Sequence, residues 1–233
     1  MRKQKEVKIS ASVSCMDLCN LETAMKEVEE SPVSFYHFDV VDGRFNQCFI
    51  LGETTLEQMS KKASLPIEVH LATYHPEKYI KRFIEAGAKY VAVHYEAMKH
   101  PLDIFWQIRE CGGIPILAYR AETGPVKDFA ILAKEVPWIL KLMVHPGFAG
   151  QKMQPSAIEH IKEMKKIINE NNLDTLIQAD GNINESTVEK VVEAGADILT
   201  GGTSGLFLKD KTVKECCQKL MELGWNSYHN LPI

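Results

Sequence analysis

The chain has 233 residues, 45% hydrophobic and 25% charged, an ordinary globular composition with length enough to bury a sizeable core. Lys plus Arg number 27 against 31 Asp plus Glu, a formal net charge of -4, which excludes the basic surplus of a nucleic-acid binder or a ligand of anionic membranes. No apolar run reaches the roughly 18–20 residues of a membrane helix, and MRKQKEVKIS has no signal-peptide core, so a cytoplasmic protein with its six cysteines reduced is expected.

In chain order, the strand-like run Val7–Ser12 precedes a helical stretch near 21–30. Phe35–Val40 carries His37 and Asp39, with Asp42-Gly43 just beyond, and leads to a helix near 54–63. Ile67–Leu71 ends around His70 and leads to 76–86. Tyr90–His94, with Glu96 beyond it, leads to 101–111, and Ile114–Tyr119 runs to Arg120 before 124–135. Trp138–Val144 enters His145-Pro-Gly-Phe-Ala-Gly150 before 156–171. Thr175–Ala179 reaches Asp180-Gly181-Asn182 before 185–194, and Asp197–Thr200 reaches Gly201-Gly202-Thr203-Ser204 before 212–223. Pro76, Pro101 and Pro155 suit first helical turns, and Asn184 suits an N-cap. Gly87 in EAGAKY and Gly195 in EAGADI read as helix-ending glycines. The aromatic tail after Gly224 is expected to pack on the core or on another subunit.

Strict alternation of strand and helix implies a parallel sheet, and eight such units in this length predict a (β/α)8 TIM barrel, one domain over residues 1–233. An open doubly wound sheet is the alternative. It gives no reason for eight units, and no GxGxxG follows the first strand.

Active residues of a barrel lie at the carboxy-terminal ends of its strands. His37 and Asp39 are two apart and share one strand face, the interior if Phe38 and Val40 face the helices. With His70 and Asp180 they form a set of two His and two Asp that suits one divalent ion, Zn2+, Mn2+, Fe2+ or Co2+. A salt-bridged network without metal is the alternative. The glycine-rich loops 146–150, 181–182 and 201–204 follow strands six to eight, where backbone N–H groups and a helix N-terminus hold phosphate in this fold. Tight turns without a ligand are the competing explanation. His94 and Glu96 read as a supporting pair or a satisfied polar core, Asp42 as a loop-shaping residue, and Arg120 and His145 as mouth residues. A barrel doing metal-free chemistry would favour a lysine at a strand end, and Lys141 alone is a candidate, of uncertain facing.

At these residues the chain resembles the ribulose-phosphate 3-epimerase family. The resemblance is carried by KISASVSCMDL at 8–18, HFDVVDG at 37–43, VHL at 69–71, VHYEA at 93–97, VHPGFAGQ at 144–151, ADG at 179–181 and GGTSGLF at 201–207. It implies a metal held by His37, Asp39, His70 and Asp180, with Asp39 and Asp180 as the acid/base pair. It implies substrate contacts from Ser12 and His70, and a phosphate site on Gly147, Phe148, Ala149, Gly150, Gly181, Asn182, Gly202, Thr203 and Ser204. A homo-oligomer and a phosphorylated ketose substrate are implied as well. Cys15-Met16-Asp17-Leu18, Thr203-Ser204-Gly205-Leu206-Phe207 and Phe148-Ala149-Gly150 lean toward the allulose-6-phosphate 3-epimerase branch, with ribulose 5-phosphate as the alternative substrate and a non-catalytic sugar-phosphate sensor as a third reading. The chain departs from the family at Val41, Ala72 and Leu142, where methionines are usual, at Arg44–Cys48, at Arg120-Ala121 in place of Asn-Pro, and at Asn182 in place of glycine.

Overall fold

The computed structural model describes residues 6–145 and 151–230. Eight strands, β1 (Lys8–Ser12), β2 (Phe35–Val41), β3 (Ile67–Ala72), β4 (Tyr90–His94), β5 (Ile114–Tyr119), β6 (Trp138–Leu142), β7 (Leu176–Asp180) and β8 (Ile198–Gly201), pair in parallel in sequence order and close β8 onto β1. The helices between them are α1 (Leu21–Glu29), α2 (Glu53–Ser60), α3 (Ile80–Glu85), α4 (Pro101–Glu110), α5 (Phe129–Ala133), α6 (Pro155–Glu170), α7 (Val188–Glu193) and α8 (Val213–Asn230). This is the expected (β/α)8 barrel. No described helix is long and apolar enough to cross a membrane.

The period-2 alternation of each strand separates two cores. Outward side chains such as Ile9, Phe38, Val69, Val91 and Ile139 pack with the helices in the main core. α6 presents Ala157, Ile161, Met164 and Ile168 to it, a stripe at helical spacing, and each large side chain so buried contributes about 1.5–3 kcal/mol. Inward side chains form layers along the barrel axis. The floor is apolar: Phe35, Ala92, Ile116, Ala118, Trp138, Leu140 and Ile198, with the Phe35 and Trp138 rings stacked at 5.5 Å. Above it lies a polar layer in which Gln178 Nε2 donates to Thr200 Oγ1 (3.0 Å) and to Glu68 Oε2 (2.9 Å). The top layer is the mouth.

Pro76, Pro101 and Pro155 sit in first turns as expected, although Pro76–Lys78 forms a separate 3-10 turn ahead of α3. Gly87 and Gly195 adopt φ of +116° and +118° at helix ends. Asn184 caps the turn that leads into α7 as expected, its Oδ1 accepting from Ser186 N (2.9 Å) and its carbonyl from Val188 N (3.0 Å), although α7 itself begins only at Val188. α5 is shorter than the expected 124–135, since Gly124-Pro125 keeps the chain extended and helix begins only at Phe129. The tail after Gly224 is no separate segment but continues α8 to Asn230. A glycine is tolerated inside that helix because a Cβ there would lie 2.8 Å from Val7 Cγ2, so its absence lets α8 seat against the entry to β1.

Candidate active site

Register fixes the site before any side chain is considered. In the β2–β3 pair, His37 lies opposite Glu68 and Asp39 opposite His70, and all four face inward. β7 adds Asp180 as its last residue, opposite Thr200 of β8. The structure thus brings His37, Asp39, His70 and Asp180 together at the top of the barrel. One donor atom from each lies within 4.8 Å of the others, a group able to hold a metal ion. Asp39 Oδ1 is the hub, 3.0 Å from His37 Nε2 and 2.9 Å from His70 Nδ1, and Asp180 Oδ2 is 3.6 Å from His37 Nε2. The other oxygen of Asp39 accepts from Ser12 Oγ (3.3 Å) and Ser14 Oγ (3.1 Å).

The outer nitrogens of both histidines are engaged too. His37 Nδ1 is 2.6 Å from Glu68 Oε2, and Trp138 Nε1 donates to Glu68 Oε1 at 2.9 Å. His70 Nε2 is 2.8 Å from His94 Nε2, and His94 Nδ1 is 3.2 Å from Glu96 Oε2. Glu68 receives N–H groups from Trp138 and Gln178, so it faces His37 as an acceptor and draws that ring's proton to Nδ1. Nε2 then turns its lone pair on the oxygens of Asp39 and Asp180. Three electron-rich atoms converging this closely require a cation among them, a second proton or a metal. The donor set, N2O2 with its outer nitrogens held, fits a divalent ion.

The electrostatics agree. Burial alone would lower His37, but the carboxylates of Asp39 and Asp180 outweigh it and hold the imidazole well above its ordinary range. Burial would raise Asp39, yet His37 and His70 hold it well below the usual carboxylate range. Burial, with repulsion from Asp39, pushes Asp180 up to about 6 against the pull of His37 and His70. Two carboxyl groups on one centre are thereby pushed apart in proton affinity.

A cavity of about 240 Å³ opens over this group. Of the residues expected to meet substrate, Ser12, Asp39, His70, Asp180, Gly181, Asn182, Gly202, Thr203 and Ser204 line it, and His37 lies fully buried beneath. Gly147, Phe148, Ala149 and Gly150 lie outside the described residues. Gly181 has φ +118°, and a Cβ there would sit 2.6 Å from Val144 Cγ2, so the wall closes only over glycine. The loop after β8 makes one turn, Leu206 N donating to Gly202 O at 2.9 Å, and α8 begins only at Val213. The expected helix N-terminus is therefore a single turn here.

Val41 and Leu142 line the cavity, while Ala72 packs behind with Val41 and Phe45. Arg120 does not line it. Its guanidinium sits 3.9 Å over the Phe45 ring, and Nη2 donates to Phe45 O at 2.8 Å. Asp42 shapes the loop as expected, its Oδ1 accepting from Arg44 N and Phe45 N and its Oδ2 from Tyr74 N. Lys141 points outward and is buried under the β5–α5 loop, where it donates to the carbonyls of Arg120, Ala121 and Thr123. It is no strand-end catalyst. Sequence reasoning missed Ser14, Glu68 and Gln178. The last two stand two residues before His70 and Asp180, on the same inward face, and that parity was the available signal.

Fold and site together define a barrel enzyme. The sequence matches the Ribulose-phosphate 3 epimerase family over residues 8–207. It is 36% identical to the ribulose-phosphate 3-epimerase of Methanocaldococcus jannaschii over 216 residues, 93% of this chain and 90% of that protein. It is 33% identical to that of Bacillus subtilis over 199 residues, 85% and 91% of the two chains. The chain belongs to the ribulose-phosphate 3-epimerase family and is a carbohydrate epimerase. Among solved structures, 3-hexulose-6-phosphate synthase from Salmonella typhimurium superposes with a TM-score of 0.67 at 18% identity, covering 94% of this chain and 99% of that one. Orotidine 5'-phosphate decarboxylase from Pyrococcus horikoshii gives 0.61 at 16% identity, covering 96% and 100%. Both show the fold alone.

Proposed function

We propose that the protein is a metal-dependent ketose-phosphate 3-epimerase that interconverts ribulose 5-phosphate and xylulose 5-phosphate. The observation that carries this is the convergence of Asp39 and Asp180, from β2 and β7, on one centre with His37 and His70 beneath an open cavity. The C3 proton of a ketose is acidic because it lies α to the C2 carbonyl, and its removal leaves an enediolate. Inversion needs a proton carrier on each face. Asp39 and Asp180 fill these roles, one taking the proton and the other returning one to the opposite face. Ser12 and Ser14 hold Asp39 through its second oxygen. His37, Asp39, His70 and Asp180 are the ligands of one divalent ion, of which Zn2+, Mn2+, Fe2+ and Co2+ all suit the donor set. When bound, that ion supplies Lewis-acid stabilisation of charge on the substrate oxygens. Gly181, Asn182, Gly202, Thr203 and Ser204, with Gly147–Gly150, take the phosphate, whose binding energy acts away from the reacting carbon. The same reading makes the protein a cytoplasmic homo-oligomer.

A second substrate, allulose 6-phosphate, remains in this reading for one reason. Val41, which lines the cavity, is smaller than the methionine usual in the family. The names of the relatives lend it no support. Parallel assays with the two sugar phosphates, before and after chelation and metal return, test both. We expect higher kcat/KM on ribulose 5-phosphate, loss of turnover on chelation and recovery with metal. Failure of metal-loaded enzyme to epimerise either sugar overturns the proposal.

A further inference from the structure

The row of hydrogen bonds running outward from His70 has a fixed direction. Glu96 Oε1 accepts the backbone N–H of Arg120 at 2.9 Å, a donor that cannot reverse. Glu96 Oε2 faces His94 Nδ1 at 3.2 Å. His94 Nε2 faces His70 Nε2 at 2.8 Å, and both histidines are buried. A carboxylate that already accepts from Arg120 is satisfied at its other oxygen by a donor, which puts the His94 proton on Nδ1. His94 Nε2 is then an acceptor, and the proton between the two rings belongs to His70 Nε2. A neutral His70 is left with its lone pair on Nδ1, aimed at Asp39 Oδ1, 2.9 Å away.

We infer that His94, oriented by Glu96, is a positioning residue that fixes the tautomer and ring angle of His70 so that Nδ1 is presented as a metal ligand. The inference rests on the metal-dependent reading above. It joins two observations that reading does not use: the buried histidine pair, and the anchoring of Glu96 by the main chain at the end of β5. The Phe45 ring covers the pair, its centroid 4.6 Å from that of His94, and shields the bond between the two imidazoles from water. Arg120 in turn holds Phe45. The His70 ligand is thus braced by three strand ends, β3, β4 and β5, while His37 is braced separately by Glu68.

The test is metal affinity, read without turnover. Apoprotein is titrated with Co2+ and with Zn2+ against a chromophoric chelator, for wild type, His94→Gln, His94→Leu and Glu96→Gln. The amide oxygen of glutamine can accept the His70 Nε2–H, whereas leucine cannot. We expect His94→Leu to bind about 10–100-fold more weakly, as loss of an outer partner of a metal-bound histidine does, and His94→Gln to recover most of that loss. Glu96→Gln keeps the volume of Glu96 but offers one acceptor to two donors, and is expected to bind several-fold more weakly. It carries the test should His94→Leu fail to fold. Wild-type affinity in the folded Leu variant or in Glu96→Gln overturns the inference, as does an equal loss in His94→Gln and His94→Leu. A wild-type protein that takes up neither ion overturns the metal reading itself, and the inference with it.

Discussion

His37 Nδ1 stands 2.6 Å from Glu68 Oε2, with both side chains fully buried. The pair connects the polar middle layer of the barrel to the mouth, because Glu68 also receives Gln178 within that layer and Trp138 from the floor below. Glu68→Gln keeps the shape but turns an amide N–H toward one of three donors. It is expected to cost about 1–3 kcal/mol, the penalty of an unsatisfied buried polar group, and to weaken metal binding. Urea unfolding of the apoprotein and metal titration check the two effects separately. Unchanged values in both would remove Glu68 from the site.

Arg120 acts at a distance from the cavity. Its guanidinium covers Phe45, and Phe45 packs on Val41 and Ala72, with Ile50 alongside. Val41 and Ile50 line the cavity. Arg120→Ala is expected to raise KM several-fold for the sugar phosphate while kcat falls less, since Arg120 touches none of the four central residues and acts on the cavity wall through Phe45. Arg120→Lys should recover little, because an ammonium neither stacks as a plane nor reaches Phe45 O with the same geometry. Steady-state kinetics decide, and a fall in kcat at constant KM would contradict this role.

Glu96 gives a pH dependence with a definite sign. Burial would raise it, but the hydrogen bond to His94 and the bond from Arg120 N outweigh burial and bring it down to about 2. A carboxyl depressed on folding contributes stability that is present above its unfolded value near 4.5 and is lost as pH falls toward 2. Wild-type apoprotein should therefore lose stability through that window, and Glu96→Gln should show a flatter acid limb. Denaturant midpoints measured from pH 5 to pH 2 test this. Parallel curves for the two proteins would refute it.

Much of this was legible in the sequence, and the reasons differ by element. The eight strands were readable because β-branched runs alternate with helical spacing and sharp punctuation at Pro76, Pro101, Pro155, Gly87 and Gly195. The four-residue centre was readable because His37, Asp39, His70 and Asp180 are polar residues in the carboxy-terminal parts of apolar runs or at their ends, where burial requires a partner. Glu68 and Gln178 were missed because each sits mid-strand between apolar neighbours, and only the closed barrel turns them onto one axis. The length of α8 depended on the contact of Gly224 with Val7, which is remote in sequence. The role of Arg120 depended on Phe45, 75 residues away. Such pairings exist only once the chain has closed.

In the proposed reaction Asp39 and Asp180 exchange protons with C3 from opposite faces. Turnover of ribulose 5-phosphate in D2O, followed by NMR, with wild type, Asp39→Asn and Asp180→Asn, decides the matter. Deuterium is expected at C3 of the xylulose 5-phosphate formed, with a loss of about 10²–10⁴ in kcat in either variant. Epimerisation without deuterium at C3, or full activity in either asparagine variant, would contradict it.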